Sequence, residues 1–442
     1  MYKNELEYYH KLDIRHINIQ FSKDEPSIVL SKSMAKYLQQ MKDMINENES
    51  KWSQIKSYTN AYEYVHTPYE NKIAISTIQP VSRSFYKLIE LNKAFDLKLG
   101  NTKYMRSMHL AEGPGGFIEA MYYLKGIQEK SNDLCIGVSL QSMDSTVPSW
   151  KRLRDKFKDE KTLILDSLHD GTGNLYNPNN FGYIFNKYKN SMHFITADGG
   201  FDFSKNYNSQ EHEITKLLIS QVMYAIICQR RYGTFIMKMF DIFTMASIDI
   251  LYLLGMYYEK VYISKPFTSR VANSEKYIVC KNFKYSNTVN VYKTFETILI
   301  KMSINMNSNL YIHRFLNIDY NHIVLNRLEH INSIIGQKQI ENIVMTLMLI
   351  YNTNRDIVDQ YKRIHIHKCV QWFIDHDIRH HSIQKSNIFT SKSYNWGESK
   401  INTNTRFSKN ILQYDTRKDK CIETDSERIV DNEVDNTRLN EI

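Results

Sequence analysis

"HLAEGPGGFIEAMYYL", residues 109–124, places three of the chain's 15 glycines and one of its 7 prolines at four consecutive positions, 113–116. A short apolar run, Ser107–Leu110, precedes the cluster, and an apolar-periodic segment, Phe117–Leu124, follows it. Glycine lets the backbone approach a neighbour more closely than a Cβ permits, and the first turn of a helix leaves N–H groups unpaired. Strand, glycine turn and helix, in that order, can therefore present backbone donors and a helix N-terminus to a ligand. A tight strand-to-helix connection with no ligand has the same appearance. Neither G-x-G-x-x-G nor G-x-x-x-x-G-K-[ST] occurs, which sets aside the dinucleotide and P-loop fingerprints.

Outward from this turn, short apolar runs alternate with helical ones between residues 68 and 285. Strands are predicted at Ser107–Leu110, Leu134–Val138, Leu163–Leu165, His193–Ala197, Thr234–Met237, Lys260–Ile263 and Tyr277–Cys280. Helical patterns separate them, clearest in Glu211–Gln229, where Ile214, Leu217, Leu218, Val222, Ala225 and Ile226 recur on one face. This alternation predicts crossover units and an α/β fold with a mostly parallel seven-stranded sheet. Only the turn-rich "SKPFTSRVANSEK" (264–276) joins the last two strands, so they are expected to pair antiparallel at one end of the sheet.

The flanks read differently. Residues 1–67 are charged and mixed, an N-terminal extension with one helical pattern at Ser31–Asn48. Residues 286–384 read as helical, strongest in "KQIENIVMTLMLIY" (338–351) and "HKCVQWFIDHD" (367–377). From 385 to 442 Ser, Thr, Asn and charge dominate, and that tail is expected to be disordered.

Composition sets outer bounds. A chain of 442 residues exceeds the ~100–200 residues of a common domain, so more than one is expected. With 57 Lys+Arg against 48 Asp+Glu, the net charge of +9 permits a polyanionic partner without demanding one. The five cysteines, at 135, 228, 280, 369 and 421, are odd in number and lack zinc-type spacing. No disulfide framework follows, and a reducing intracellular compartment is expected. "MYKNELEYYHKLDIRH" is too charged for a signal peptide, and no apolar run is long enough to suggest a membrane span.

The G-P-G-G turn resembles motif I of S-adenosylmethionine-dependent methyltransferases. Three more phrases extend the likeness. "HFITADGGFDF" puts Asp198 at a strand end, "GTFIMKMFDIFT" puts Lys238 at the end of the next, and "SKPFTSRVANSEKYIVCKNF" puts Glu275 beside the last. Upstream, "VSRSFYKLIEL" is a short amphipathic helix carrying Lys87. Together, over residues 80–283, they resemble the FtsJ-like ribose 2′-O-methyltransferases, and within that family most closely the mRNA cap 2′-O-methyltransferases of cells and large DNA viruses. The resemblance implies a Rossmann-like fold, S-adenosyl-L-methionine as cofactor and a Lys-Asp-Lys-Glu tetrad on Lys87, Asp198, Lys238 and Glu275. It also implies a capped mRNA 5′ end as partner, and proteins of a capping or transcription apparatus as further partners.

The chemistry is consistent with that resemblance. A ribose 2′-hydroxyl must lose its proton as it attacks a sulfonium methyl, and a lysine assists as a base only if its pKa falls from about 10.4. Burial and a second cation both lower it. Lys238 is read as the base or hydroxyl-orienting group, with Lys87 and Asp198 tuning it and Glu275 positioning Lys87 or the ribose. Displacement at a methyl needs no metal.

The cofactor is expected along Glu112, Gly113, Pro114, Gly115, Gly116 and Phe117, with Asp198 beside them. Glu112 either accepts from the cofactor's ammonium or caps the following helix. His109 stands where the family usually has an acid, and reads as a hydrogen-bonded core residue. In "LILDSLHDGTGNLYNP", Asp166 ends a strand, and Asn174, with Asp170 nearby, aligns with the family's adenine or ribose reader. A solvated Asp/Asn turn reads equally well. Lys265 and Arg270 are candidate phosphate contacts, with an ion pair to an acidic neighbour as the other reading of Arg270. His365, His367 and Cys369 lack a partner cluster for a metal and read as a helix face.

Three functions remain in play. The first is methylation of a 2′-hydroxyl next to the mRNA cap; the second is the same reaction on rRNA. The third is a non-catalytic RNA-binding scaffold, against which the intact tetrad weighs.

Overall fold

The computed structural model describes residues 3–6, 13–66, 75–101, 104–126, 133–142, 144, 147–201, 206–306, 308–352 and 355–381; the tail expected to be disordered lies outside them. The chain opens with strands β1 (Asn4–Leu6) and β2 (Ile17–Ser22), then helices α1 (Lys32–Glu47), α2 (Glu49–Thr59) and α3 (Ser84–Ala94). Alternation follows: β3 (Arg106–Leu110), α4 (Gly116–Lys125), β4 (Leu134–Val138), α5 (Lys151–Lys156) and β5 (Leu163–Leu165). It continues through α6 (Pro178–Tyr188), β6 (Met192–Ala197), α7 (Gln210–Cys228), β7 (Gln229–Met239), α8 (Met245–Tyr257) and β8 (Tyr258–Ser264). The remaining elements are β9 (Lys276–Phe283), α9 (Val289–Ile304), β10 (Tyr311–Leu316), α10 (His322–Tyr351) and α11 (Arg355–Asp375).

One sheet holds eight strands in the order β1-β8-β9-β7-β6-β3-β4-β5. Strands β3 to β7 pair in parallel, while β9 runs against both β7 and β8. The seven expected strands are therefore present, with the antiparallel pair near one end. The eighth is β1, which zips against β8 from Asn4↔Ile263 to Leu6↔Val261. Its three residues, Asn-Glu-Leu, are too few to show a periodicity; besides the backbone pairing, Leu6 is buried in the core and the Asn4 side chain donates to the Ile263 carbonyl.

The topology places a crevice. From β3 the chain steps outward through β4 to β5, returns across β3 to β6, and steps the other way to β7. Right-handed crossovers put the helices of these two directions on opposite faces of the sheet. Strand order reverses between β3 and β6, and open α/β sheets bind ligands at the carboxyl ends of the strands at such a point. Helix α8 is buried along its whole length from Ala246 to Tyr257, which matches its nearly unbroken apolar sequence.

The segment 286–384, expected to be helical, contains one strand. β10 pairs antiparallel with β2, from Tyr311↔Ser22 to Leu316↔Ile17. The buried Asp249 carboxylate of α8 accepts from the Phe315 and Leu316 amides and pairs with Arg314, which anchors β10 to the core. On the other side, Leu38 and Ile45 of α1 pack with Ile340, Ile343 and Leu347 of α10. Among the described residues, no helix is long and apolar enough to cross a membrane.

Candidate active site

Four charged side chains meet where β6 and β7 end and β9 begins, beside α3. Lys87 lies on α3, Asp198 follows β6, Lys238 is the penultimate residue of β7, and Glu275 immediately precedes β9. Lys87 Nζ is 2.7 Å from Glu275 Oε1. Lys238 Nζ is 3.4 Å from Asp198 Oδ1 and donates to the Asp198 carbonyl oxygen at 2.7 Å. Tyr277 ties the two pairs together: its hydroxyl donates to Asp198 Oδ1 at 2.8 Å, and the Lys87 ammonium lies 5.8 Å from its ring centre. Ser269 donates to Glu275 Oε1 at 2.8 Å. The four charged side chains are 10–14% exposed, so the cluster is sheltered yet can be reached from solvent.

The electrostatics differ in one respect from the sequence expectation. Burial works against the charge of Lys238, but Asp198 and Glu275 outweigh it, and the pKa is raised rather than lowered. Burial likewise opposes the charge of Glu275, and Lys87 with Lys238 overcomes it, holding the carboxyl at about 2. Without a ligand, Lys238 is an ammonium. Glu112 behaves oppositely: burial, then the Asp198 charge, push its pKa well above the usual carboxylate range.

The glycine turn closes on the protein itself. A Cβ on Gly113 would lie 2.5 Å from the Pro148 carbonyl oxygen, and one on Gly116 would lie 2.1 Å from Ser84 Oγ and 2.2 Å from Ser82 Oγ. Gly115 has φ +106°, and its Cβ would meet Leu153 at 2.6 Å. Packing within the chain accounts for all three glycines, and Pro114 sits between them. Glu112 Oε1 accepts from Phe117 N at 2.8 Å, so it caps α4, and Thr196 donates to its other oxygen at 3.5 Å.

Gly113 N donates to Ser139 Oγ at the end of β4, and Gly173 lies so close to Ser139 that a Cβ would be 2.0 Å from its carbonyl oxygen. The 166–174 loop thus borders the same crevice. Asp170 is spent within that loop, accepting from Thr172, Asn177 and Asn180; these bonds outweigh burial and hold it at about 2. Asn174 Oδ1 accepts from Tyr176 N, and its neighbours give the solvated-turn reading its local support. Asp166 accepts from Tyr183, Lys187 and Tyr188.

Lys265 donates to Asn273 O, Asn273 Oδ1 and Glu275 O, between 2.7 and 2.9 Å. Its three donors brace the loop before β9, and burial lowers its pKa to about 7. Arg270 forks onto Glu63, at 2.7 and 3.1 Å, the ion-pair reading of that residue. His109 is fully buried between Thr196 Oγ1 and Ser107 Oγ, as expected of a core histidine. His365 and Cys369 are buried and His367 is exposed, so they do not share a face.

Sequence reasoning missed Tyr277, Ser269, Thr196 and Glu63. The first three lie inside phrases already singled out, where a buried hydroxyl beside a strand end or in the connecting loop signals a hydrogen-bonding partner. Glu63 is distant in sequence and carries no such signal.

Residues 80–283 match the model of the FtsJ-like methyltransferase family. Over this stretch the chain is similar to FtsJ-like methyltransferases. Among curated relatives, the Mus musculus "Cap-specific mRNA (nucleoside-2'-O-)-methyltransferase 1" is 34% identical over 181 residues, 39% of this chain and 20% of that protein. The Mus musculus "Cap-specific mRNA (nucleoside-2'-O-)-methyltransferase 2" is 26% identical over 316 residues, 66% of this chain and 39% of that protein. The chain spans about a fifth of the length of the first of these and two fifths of the second. A solved structure of human methyltransferase-like protein 13 in complex with SAH overlays on 48% of this chain and 91% of its own, with 10% identity and a TM-score of 0.31, too slight a likeness to argue from. The matched stretch thus coincides with the part of the chain that carries all four tetrad residues.

Proposed function

We propose that this domain transfers a methyl group from S-adenosylmethionine to a ribose 2′-hydroxyl of RNA, at a nucleotide next to the mRNA 5′ cap. The observation that carries the reading is the pair of ion pairs, Lys87–Glu275 and Lys238–Asp198, joined by Tyr277 on the β6 side of the sheet's switch point. The printed names of the relatives support the choice of substrate.

The residues present suit the cofactor. Glu112 and Asp198 are two carboxyl groups in one buried region, where burial and then the Asp198 charge raise the pKa of Glu112, and a cation arriving there favours its ionised form. A cationic amino-acid end fits there, with the Glu112–Phe117 turn and the 166–174 loop on either side. S-adenosylmethionine, when bound, supplies an electrophilic methyl on a sulfonium.

The protein side of the reaction follows from the charges. Lys238 is held as an ammonium by Asp198 and Glu275, and in that form it donates to the 2′-oxygen and orients it. A cationic neighbour at Asp198 competes for the same negative charge and lowers the Lys238 pKa. The lysine then releases its proton to solvent and, as the neutral amine, accepts the 2′-hydroxyl proton when the oxygen gains the methyl. Lys87 neutralises Glu275, and Tyr277 fixes the Asp198 carboxylate that balances Lys238.

Labelled methyl transfer to capped and uncapped RNA of one sequence tests the reading. Label on the ribose beside the cap, and little on uncapped RNA, is expected. Equal labelling of both would move the substrate away from the cap, and none by a folded, cofactor-binding protein would leave the scaffold.

A further inference from the structure

The loop between β8 and β9 turns one aromatic ring outward next to the tetrad. Phe267 is 42% exposed, yet its backbone is pinned. Its amide donates to Glu90 Oε1 at 2.6 Å, the next amide, of Thr268, donates to Glu90 Oε2 at 3.1 Å, and Arg83 Nε donates to the Thr268 carbonyl at 2.8 Å. Tyr62 covers one face, with ring centres 5.2 Å apart and planes 18° from parallel. The ring is therefore ordered before any partner arrives, which removes part of the entropy that binding would otherwise cost. Ser269, two residues along the loop, holds Glu275, so the ring stands beside the tetrad.

Cations cluster next to it. Glu63 pairs with both Arg83, at 3.1 Å, and Arg270, at 2.7 Å. Lys56 lies near enough to be repelled by Arg270 and attracted by Glu63. Glu275 also acts on Arg270, but Lys87 already engages it. Arg83, Arg270 and Lys56 thus gather around Glu63, with Glu49 also acting on Lys56, while burial raises the pKa of Glu90 beneath the loop. The Arg270 side chain is still 41% exposed. An exposed guanidinium among clustered cations, beside an exposed ring, suits a polyanion that also carries aromatic bases.

We infer that Phe267 is a stacking platform for a base of the RNA strand, with the adjoining phosphate held against Arg270 and Lys56. The inference rests on the RNA reading above and goes beyond it by naming where the strand lies. It also gives residues before the methyltransferase domain, Lys56, Tyr62 and Glu63, a place in holding substrate. Stacking tolerates any base, so the site contributes affinity without sequence preference.

The test compares wild type with Phe267→Ala, Phe267→Leu and Phe267→Trp. The probe is a capped single-stranded oligoribonucleotide carrying a fluorescent adenine analogue near its 5′ end. Dissociation constants, analogue quenching and the KM for RNA are measured, with calorimetry of S-adenosylmethionine as the check on folding. The Ala and Leu variants should weaken RNA binding roughly tenfold or more and lose the stacking quench. The loss should fall on KM, and Trp should restore it. A Leu variant that binds and quenches like wild type, while wild type methylates RNA, overturns the platform alone. A wild type that neither binds nor methylates the oligonucleotide overturns both readings.

Discussion

The ammonium of Lys238 stands 3.4 Å from the Asp198 carboxylate and 2.7 Å from the same residue's carbonyl oxygen. Asp198 therefore fixes both the place and the charge of the lysine. Its pKa is raised above the ordinary value of 10.5, so the neutral form is reached only in the alkaline range unless a ligand intervenes. The kcat/KM profile reports the free enzyme and the kcat profile the complex. If Lys238 acts as the base, kcat/KM for S-adenosylmethionine should keep rising into the alkaline range, and kcat should level off at lower pH. Matching inflections in the two profiles would mean that ligands do not retune the lysine.

The glycine turn makes a prediction about stability as well as binding. A Cβ at 116 meets two serine hydroxyls that flank the start of α3, the helix carrying Lys87. Gly116→Ala should lower the unfolding free energy by about 1–3 kcal/mol, as overpacking does, and weaken cofactor binding. Unchanged thermal unfolding would show that the turn yields freely.

Much of this architecture was legible in the sequence because parallel strands buried on both faces leave dense apolar runs, and because Asp198, Lys238 and Glu275 sit at strand ends with Lys87 on a short amphipathic helix. β1 and β10 were not legible. The first is three residues held by backbone pairing to β8, and the second is a short strand between two helices. The direction of the Lys238 pKa shift was missed for a similar reason. Burial can be guessed from sequence, but the balance between burial and two carboxylates depends on distances. The Arg270–Glu63 fork joins residues 207 positions apart, a separation that no local pattern reveals.

Three buried carboxylates set the acid limit. Burial opposes the charge on Glu63, Asp241 and Glu275, but their cationic partners overcome it and hold all three at about 2. The ordinary values are 4.5, 3.8 and 4.5. Because the folded values are depressed, the stabilisation is complete above the ordinary values and is lost as pH falls toward 2. Each group contributes on the order of 2 kcal/mol. Urea unfolding should give a plateau above pH ~5 and a steep decline below it, and Asp241→Asn should flatten that decline.

Lys42 reaches from α1 into the same region. Its Nζ lies 2.7 Å from Asp241 Oδ2, which also accepts from Ser274 next to Glu275. Gln339 of α10 donates to Ala272 O and Ser274 Oγ. Lys42→Met should cost about 3–5 kcal/mol, because it leaves a buried carboxylate short of a partner. Gln339→Leu, a milder change, should reduce methyl transfer through the loop that carries Glu275, and Gln339→Glu should not restore it. Equal activity of wild type and Gln339→Leu would detach the C-terminal helix from the site.

Single-turnover methyl transfer to capped RNA, by wild type and Lys238→Met with cofactor and RNA both prebound, tests the central claim most directly. Methionine keeps the length and packing of the lysine but can neither carry its charge nor accept a proton. The account predicts that the variant folds and binds both ligands, yet transfers the methyl at least ~10²-fold more slowly. Transfer at most of the wild-type rate would contradict it, because the tetrad would then have no part in the chemistry.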